Sequence, residues 1–241
     1  MKLATGIIPA RYGSTRFSGK PLALILGKPM IQMVYERAKR AKFLEQVIVA
    51  TDDERIMNAC AGLGIAARLT SASIGSGTER VAEVARELGA SLVVNIQGDE
   101  PLLDPGMIDA LVEALQDESI IMASLMTRVM DRAAFKDKNR VKVVVDKDGF
   151  ALYFSRAPIP YQPQKGFFQH IGIYGFKAEF LFRFCGLPPS ELEKAERLEQ
   201  LRALENGYRI KMIETPFSTL SVDSPQDIIE VEKLLGKKRN D

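Results

Sequence analysis

Three short apolar runs in the first hundred residues predict buried β-strands. They span Ala4 to Pro9, Val47 to Thr51 and Leu92 to Gln97, and none contains a charged residue. Such continuous runs are typical of strands that are covered on both faces. Segments with helical spacing separate them, and this alternation predicts crossover connections and a parallel sheet.

The intervening segments carry the signals of helices. After Pro29, apolar residues from Ile31 to Ala41 recur at helical spacing. Ser76 and Glu79 form a capping-box pattern in front of another apolar stripe. We therefore expect helices to flank the strands.

The middle of the chain changes to an antiparallel pattern. The β-rich runs 139–146 and 150–155 are joined by the turn Lys147-Asp148-Gly149, which predicts a hairpin. A further β-like run covers His170 to Phe176. We therefore predict one domain over residues 1–241, with a smaller antiparallel subdomain inserted near residues 128–210.

The last part of the chain predicts two helices and a strand. The first helix opens at Ser190 and keeps apolar positions at helical spacing to Leu204, with Gly207 suited to its end. A strand follows at 209–213, and Ser224 and Pro225 mark the start of the last helix. The predicted fold class is α/β, with a mostly parallel central sheet flanked by helices.

Charge is balanced over the whole chain but not at its beginning. The 241 residues are 46% hydrophobic and carry a net charge of +2, which predicts no nucleic-acid partner. No stretch approaches the roughly 20 apolar residues of a membrane span, so we expect a cytoplasmic protein without membrane insertion. The two cysteines lack metal-ligand spacing. However, residues 1–35 contain five basic side chains and no acid, which favours an anionic ligand there.

The basic residues cluster in a loop directly after the first predicted strand. This loop contains Arg11, Arg16 and Lys20 among glycine and serine residues, at the strand end where open α/β sheets bind ligands. A triphosphate requires several cations and donors at once, so we interpret the loop as a phosphate cradle. It is not a P-loop, because five residues separate its glycines and Pro21 replaces the metal-binding Ser or Thr. A solvated basic turn is the alternative.

Two acidic positions are candidate magnesium ligands. Asp99 and Glu100 follow the third apolar run, and adjacent carboxylates at a strand end favour a cation between them and a phosphate. Asp223 precedes the last predicted helix. The alternatives are an acidic turn and a structural junction, and the magnesium hypothesis requires the fold to bring Asp223 beside Asp99.

Seven motifs, in order along nearly the whole chain, resemble the CMP-Kdo synthetase family, the 3-deoxy-manno-octulosonate cytidylyltransferases. They are Ile8-Pro-Ala-Arg-x-x-Ser-Thr-Arg16, Ala50-Thr-Asp52, Ser76-Gly-Thr-Glu-Arg80, Gln97-Gly-Asp-Glu-Pro101, Tyr153-Phe-Ser-Arg156, His170-Ile-Gly-Ile-Tyr174 and Leu198-Glu-Gln-Leu-Arg202, followed by Val222-Asp-Ser-Pro225. The resemblance implies a Rossmann-like nucleotidyltransferase fold whose antiparallel subdomain serves sugar binding and dimerisation. It also implies CTP and 3-deoxy-D-manno-octulosonate (Kdo) as substrates, Mg²⁺ as cofactor, a homodimer, and a role in lipopolysaccharide biosynthesis. The choice of CTP follows from the resemblance alone.

The resemblance also assigns roles to individual residues. The catalytic group would be Arg11, Lys20, Asp99 and Asp223, with Asp99 and Asp223 holding the metal. The nucleotide would contact Arg11, Ser14, Arg16, Lys20, Ser76, Thr78, Arg80 and Gln97. The sugar would contact Arg156, His170, Tyr174, Glu199 and Gln200. One departure is Phe17-Ser18, where the family often has Leu-Pro.

Four other functions stay open on the sequence. CMP activation of sialic acid would use the same loop, although the motifs around Tyr153 and His170 favour Kdo over sialic acid. CMP activation of 8-amino-8-deoxy-Kdo is not distinguished from that of Kdo by any residue. A metal-dependent glycosyltransferase also places an acidic pair at a strand end. A regulatory nucleotide-binding module would need only the basic loop, and the presence of both Asp99 and Asp223 argues against it.

Overall fold

The computed structural model describes residues 1–13 and 17–237. Its strands are β1 (Ala4–Ala10), β2 (Leu24–Ile25), β3 (Lys28–Pro29), β4 (Leu44–Thr51), β5 (Ala67–Leu69), β6 (Leu92–Asn95), β7 (Met122–Val129), β8 (Lys142–Val145), β9 (Ala151–Ser155), β10 (Phe167–Lys177) and β11 (Lys211–Glu214). Its helices are α1 (Met30–Ala38), α2 (Glu54–Gly62), α3 (Gly77–Glu87), α4 (Pro105–Ala114), α5 (Arg132–Lys136), α6 (Ala178–Cys185), α7 (Glu191–Glu196), α8 (Leu201–Glu205) and α9 (Pro225–Lys237).

One large sheet organises the fold, and its central path runs β11-β7-β10-β6-β1-β4-β5. The pairs β1–β4, β1–β6, β4–β5 and β7–β11 are parallel. Strand β10 is antiparallel to both neighbours, β6 and β7, so it alone is reversed along this path of described strands. The predicted α/β class with a mostly parallel sheet is therefore confirmed.

The antiparallel part of the chain extends from this sheet. Strand β8 pairs with β10 and with β9, both antiparallel, and β8 and β9 are the predicted hairpin. The antiparallel strands within residues 128–210 are thus continuous with the central sheet. That this region acts as a separate sugar-binding and dimerisation unit stays a prediction.

Both faces of the sheet are covered, which explains the uninterrupted apolar runs. Ile7 and Ile8 are neighbours in β1 and both are fully buried, but they belong to different hydrophobic clusters. Ile8 packs in a cluster with residues of α1 and α4, whereas Ile7 packs in one with residues of α3 and α6. Successive side chains of a strand point to opposite faces, so two helical layers require apolar residues at every position.

The single helix predicted from Ser190 to Leu204 is wrong. Helix α7 ends at Glu196, Arg197 adopts a left-handed conformation with φ 54°, and α8 begins only at Leu201. The interruption accompanies a tertiary contact, because the Glu196 carboxylate accepts hydrogen bonds from the neighbouring strand β9 and its end. Helix α7 buries none of its residues, whereas Leu201 and Ala203 of α8 pack into the core. The apolar positions at helical spacing therefore do not form one continuous buried face.

A buried lysine joins the hairpin to its surroundings. Lys142 in β8 is 0% exposed, and its ammonium group donates to the backbone carbonyls of Asp137 at 2.8 Å, Arg140 at 2.7 Å and Arg156 at 2.7 Å. Burial lowers the pKa of Lys142. Three carbonyl acceptors take the place of the water that this ammonium group loses on burial.

We expect Lys142→Met to lower the free energy of unfolding by about 3 kcal/mol, because three backbone carbonyl groups lose the charged donor that they share. The matched control is Lys177→Met, since Lys177 donates to a single carbonyl, that of Glu118, at an exposed site. Its expected cost is below about 1 kcal/mol. Urea denaturation followed by circular dichroism measures both, and equal losses would contradict the prediction.

Candidate active site

The candidate site lies at the carboxyl edge of the parallel strands. Strands β1, β4 and β6 run side by side in the same direction, with Ala10 opposite Thr51 and Ile7 opposite Asn95. The loops that follow these strands therefore leave the sheet along one edge. Ligands bind at this edge in open α/β sheets.

The structure brings Lys20, Asp99 and Asp223 together at this edge. The Lys20 ammonium nitrogen lies 2.7 Å from Asp99 Oδ2 and 3.7 Å from Asp223 Oδ1. It also donates to the carbonyl oxygen of Val222 at 2.9 Å. The side chain of Lys20 is 16% exposed, against 27% for Asp99 and 49% for Asp223, so both carboxylates reach solvent while the lysine lies deeper.

Two glycines permit the close approach of these loops. A Cβ atom on Gly98 would lie 3.0 Å from the carbonyl oxygen of Pro9, so the backbone before Asp99 packs directly on β1. Gly19 has a positive φ of 71° and precedes the 3₁₀ turn at Lys20–Leu22. Glycine adopts this left-handed conformation without the steric cost of a side chain.

Glu100 points in a different direction from its neighbour Asp99. It is 4% exposed, and its Oε1 atom accepts a hydrogen bond from the hydroxyl of Ser221. Burial raises the pKa of Glu100 to about 7, and the charge of Asp99 adds to the increase. Of the two adjacent carboxylates, only Asp99 faces Lys20.

A chain of hydrogen bonds connects the predicted nucleotide residues with a predicted sugar residue. The Gln97 amide donates to Asn95 Oδ1 at 3.2 Å, and the Asn95 amide donates to Thr78 Oγ1 at 3.4 Å. The Thr78 hydroxyl in turn donates to Glu199 Oε2 at 2.5 Å. Ser76 caps α3 two residues before Thr78, in the predicted capping box. These side chains form one chain of hydrogen bonds beside β6, of which Thr78 and Asn95 are buried.

The basic residues of the nucleotide side differ in their surroundings. Arg80 is 0% exposed; its Nη2 atom lies 2.8 Å from Asp52 Oδ2 and its Nη1 atom donates to the hydroxyl of Thr70. Arg11 donates to the carbonyl oxygen of Ile74 at 3.4 Å. The predictions for Ser14 and Arg16 lie outside the described residues.

The predicted sugar residues of β10, His170 and Tyr174, lie in a cluster of aromatic rings. His170 is 9% exposed, and its Nε2 atom lies 2.9 Å from Ser124 Oγ. Its ring centroid is 5.0 Å from that of Phe154 and 5.5 Å from that of Tyr174. Burial lowers the pKa of His170 to about 3, and burial together with Glu199 raises the pKa of Tyr174 far above its ordinary value. Both side chains are therefore neutral at pH 7.

The lowered pKa predicts that His170 destabilises the protein in acid. The unfolded chain takes up a proton as the pH falls below the ordinary His value of 6.5, whereas folded His170 remains neutral down to about 3. We expect wild-type stability, relative to His170→Gln, to fall by roughly 2 kcal/mol between pH 7.5 and 5. The raised pKa of Glu100 acts in the opposite direction and is common to both proteins.

Urea denaturation of both proteins across this pH range measures the difference, and His170 is the only histidine in the chain. Glutamine retains a hydrogen-bonding group toward Ser124 but does not titrate. A stability difference that is independent of pH would show that His170 titrates normally.

Arg156 and Gln200 differ in the hydrogen bonds that their side chains form. The Arg156 guanidinium donates only to backbone carbonyls in the hydrogen bonds formed with described residues, those of Glu196, Lys138 and Arg197. Gln200 is 3% exposed, and its amide nitrogen has no hydrogen-bond partner among residues 1–13 and 17–237. A buried donor without a partner is costly, so it favours a ligand acceptor beside Gln200.

Several residues of this region make contacts that the sequence alone does not indicate. Asp52 and Glu100 lie in the quoted motifs and Asn95 lies in the third predicted strand, but only the structure shows their contacts with Arg80, Ser221 and Thr78. Their polar side chains in otherwise apolar strand ends were the available signal.

The basic loop, the paired carboxylates and the sheet with one reversed strand define a nucleotidyltransferase of the α/β class. The fold is shared with 4-diphosphocytidyl-2C-methyl-D-erythritol synthase from Anaerococcus prevotii, with a TM-score of 0.66 and 17% identity over 98% of this chain and 99% of that one. At this identity the likeness concerns the fold alone.

The chain belongs to the cytidylyltransferase family, whose profile matches residues 5–212, and within it to the 3-deoxy-manno-octulosonate cytidylyltransferases. It is 50% identical to the 3-deoxy-manno-octulosonate cytidylyltransferase of Syntrophotalea carbinolica over 95% of this chain and 96% of that protein. The enzyme of that name from Geotalea daltonii is also 50% identical, with 94% and 96% covered. The solved CTP complex of CMP:2-keto-3-deoxy-manno-octonic acid synthetase matches with a TM-score of 0.93 and 39% identity over 98% of this chain and all of that one.

No helix among the described residues is long and apolar enough to cross a membrane.

Proposed function

We propose that this enzyme transfers CMP from CTP to the anomeric hydroxyl of Kdo, forming CMP-Kdo and pyrophosphate. The observation that carries the proposal is the convergence of Lys20, Asp99 and Asp223 at the carboxyl edge of the sheet. The family membership and the full-length likeness to an enzyme solved with CTP support the choice of nucleotide and sugar.

The donor set at this edge fits Mg²⁺. Asp99 and Asp223 offer carboxylate oxygens, which are hard ligands, and both reach solvent. Within residues 1–13 and 17–237, no group of three or more potential ligand side chains could hold a metal. Two carboxylates suit Mg²⁺, which completes its octahedron with water and substrate phosphates. When bound there, Mg²⁺ would neutralise charge on the phosphates and lower the pKa of the attacking hydroxyl.

The chain's own residues orient the two anionic substrates. In the reaction, the anomeric oxygen of Kdo bonds to the α-phosphorus, the bond from that phosphorus to the β-phosphate oxygen breaks, and the hydroxyl proton is released. Lys20 and Arg11 would hold the triphosphate, because their positive charges offset the repulsion between it and the carboxylate of the sugar. Asp99 is close enough to Lys20 to hold the ammonium group in place before the nucleotide arrives.

The sugar side is suited to an acidic ligand because its buried groups favour neutral forms. His170 and Tyr174 are uncharged at pH 7. Burial also raises the pKa of Glu199 above its ordinary value. Gln200 would offer its amide nitrogen, which has no hydrogen-bond partner in the described part of the chain, and Arg156 would add positive charge. Together these residues would bind the hydroxyls and the carboxylate of Kdo.

The wider setting follows from the family. We propose that the enzyme acts in the cytoplasm as a homodimer and that its product feeds lipopolysaccharide biosynthesis. The antiparallel strands around residues 128–210 would contribute to sugar binding and to the dimer.

The direct test incubates the purified protein with CTP, Mg²⁺ and Kdo and measures pyrophosphate. We expect release that requires all three. Parallel reactions with 8-amino-8-deoxy-Kdo and sialic acid decide the sugar, and the substrate with the highest kcat/KM is the assigned one. If CTP binds but no pyrophosphate is released from it in the presence of any of these sugars, the result would favour a regulatory module or a glycosyltransferase.

A further inference from the structure

The segment that carries Asp223 lies outside the regular secondary structure. Residues 215–224 connect β11 to α9 without helix or strand. A catalytic carboxylate on such a segment depends on local contacts for its position, since no backbone ladder or helix fixes it.

Two contacts attach this segment to the loop after β6, and one attaches it to the turn at Lys20. The backbone nitrogen of Val222 donates to the carbonyl oxygen of Asp99 at 2.9 Å. Lys20 donates to the carbonyl oxygen of Val222 at 2.9 Å. The third contact is the hydrogen bond from the Ser221 hydroxyl to Glu100 Oε1.

Of these three contacts, only the hydrogen bond between Ser221 and Glu100 is formed by side chains other than those of the predicted catalytic residues. Glu100 is buried, directly follows Asp99, and binds the residue two positions before Asp223. Val222 lies between Ser221 and Asp223 and is 0% exposed, so its packing restricts the movement of Asp223 relative to Ser221. This hydrogen bond, the Ser221–Glu100 bridge, therefore links the backbone beside Asp99 to the backbone beside Asp223, the two carboxylates that face Lys20.

We propose that Glu100 is a positioning residue that acts through Ser221 to hold Asp223 opposite Asp99 and Lys20. It does not touch the substrates, and the proposal rests on the role assigned to Asp223 in the proposed function. Loss of the bridge lets Asp223 move away from the productive geometry, so it slows turnover more than it weakens CTP binding.

The test is a double-mutant cycle on pyrophosphate release. We expect Glu100→Ala and Ser221→Ala each to lower kcat about tenfold, with CTP affinity changed less than about threefold. Glu100→Gln keeps an acceptor at the same chain length, so it should retain kcat within about threefold of wild type. In an Asp223→Asn background, Glu100→Ala should cost less than about twofold, because the carboxylate that it positions is already gone.

The control is Glu193→Ala, which removes another partly buried carboxylate, one paired with Arg202 at 2.6 Å. Any effect of this variant on kcat should be the same in the wild-type and Asp223→Asn backgrounds. A readout independent of turnover is Mn²⁺ binding in the presence of CTP, followed by electron paramagnetic resonance. We expect Glu100→Ala and Ser221→Ala to weaken it about tenfold and Glu193→Ala to leave it unchanged.

Equal losses from Glu100→Ala in both backgrounds, or unchanged Mn²⁺ binding, would overturn the positioning role. If Glu100→Ala does not fold, Ser221→Ala carries the same cycle. Full turnover by Asp223→Asn alone would instead refute the assignment of Asp223 in the proposed function.

Discussion

Asp99→Asn is expected to lower kcat by about 10²- to 10³-fold while CTP affinity changes less than about fivefold. Asparagine has the same shape but no charge, so the candidate metal site loses one of its two anionic oxygen donors. The charge of Asp99 matters most in the transition state, because negative charge then develops on the attacking oxygen and on the leaving pyrophosphate. Single-turnover kinetics of pyrophosphate release and calorimetric titration with CTP separate the two effects.

The matched control for this variant is Asp104→Asn. Asp104 follows in the same loop, where its side chain caps α4 by accepting a hydrogen bond from the backbone of Gly106 at 2.9 Å. Asparagine caps helices about as well as aspartate, so turnover should stay near that of wild type. Near-normal turnover of Asp99→Asn would exclude Asp99 from the reacting centre.

Lys20→Met should raise the KM for CTP about 30-fold or more and also lower kcat. Methionine keeps most of the length of the side chain but removes the charge between Asp99 and Asp223. The triphosphate then loses a cation, and the two carboxylates lose the ammonium group that lies between them in this structure. Steady-state kinetics at varied CTP and saturating Kdo measure both parameters.

Lys28→Met is the control from the same basic stretch. Its side chain is 54% exposed and pairs with Glu36 at 3.1 Å, away from the carboxylates. An exposed ion pair contributes little, so both kinetic parameters should remain within about twofold of wild type. Equal effects of the two lysine variants would indicate general electrostatic attraction of CTP in place of a specific contact by Lys20.

Local signals along the chain were sufficient for the framework of the fold. The apolar run before Pro9 predicts β1, and Ser76 with Glu79 predicts the start of α3, which has both capping hydrogen bonds. These signals succeed because burial on two faces and the capping of a helix end depend on residues that are close in sequence.

The break between α7 and α8 shows where local signals fail. Arg197 interrupts an apolar pattern that suits one helix. The interruption accompanies hydrogen bonds that the distant residues Ser155 and Arg156 donate to the Glu196 carboxylate. The gain from those contacts lies outside any sequence window. Glu199 and Gln200 consequently lie between two helices instead of on one.

For the candidate site, too, some features could be predicted from the sequence and others only from the structure. The charge pattern identified Lys20 and Asp99, because a basic loop and an acidic strand end are visible without a structure. It could not show that Glu100 turns away into a buried bridge with Ser221, or that Arg80 is enclosed by Asp52 and Thr70. These roles depend on which side of a loop faces the core.

The sequence by itself determined the class of fold, the family and the residue types of the site, since these follow from periodicity, turn chemistry and motifs along the chain. Only the tertiary structure decided that Asp223, more than a hundred residues from Asp99, shares one ammonium group with it. The physical reason is that Asp99 and Asp223 meet only when the strands and helices that carry them pack together. Such packing brings together residues that no local sequence pattern relates.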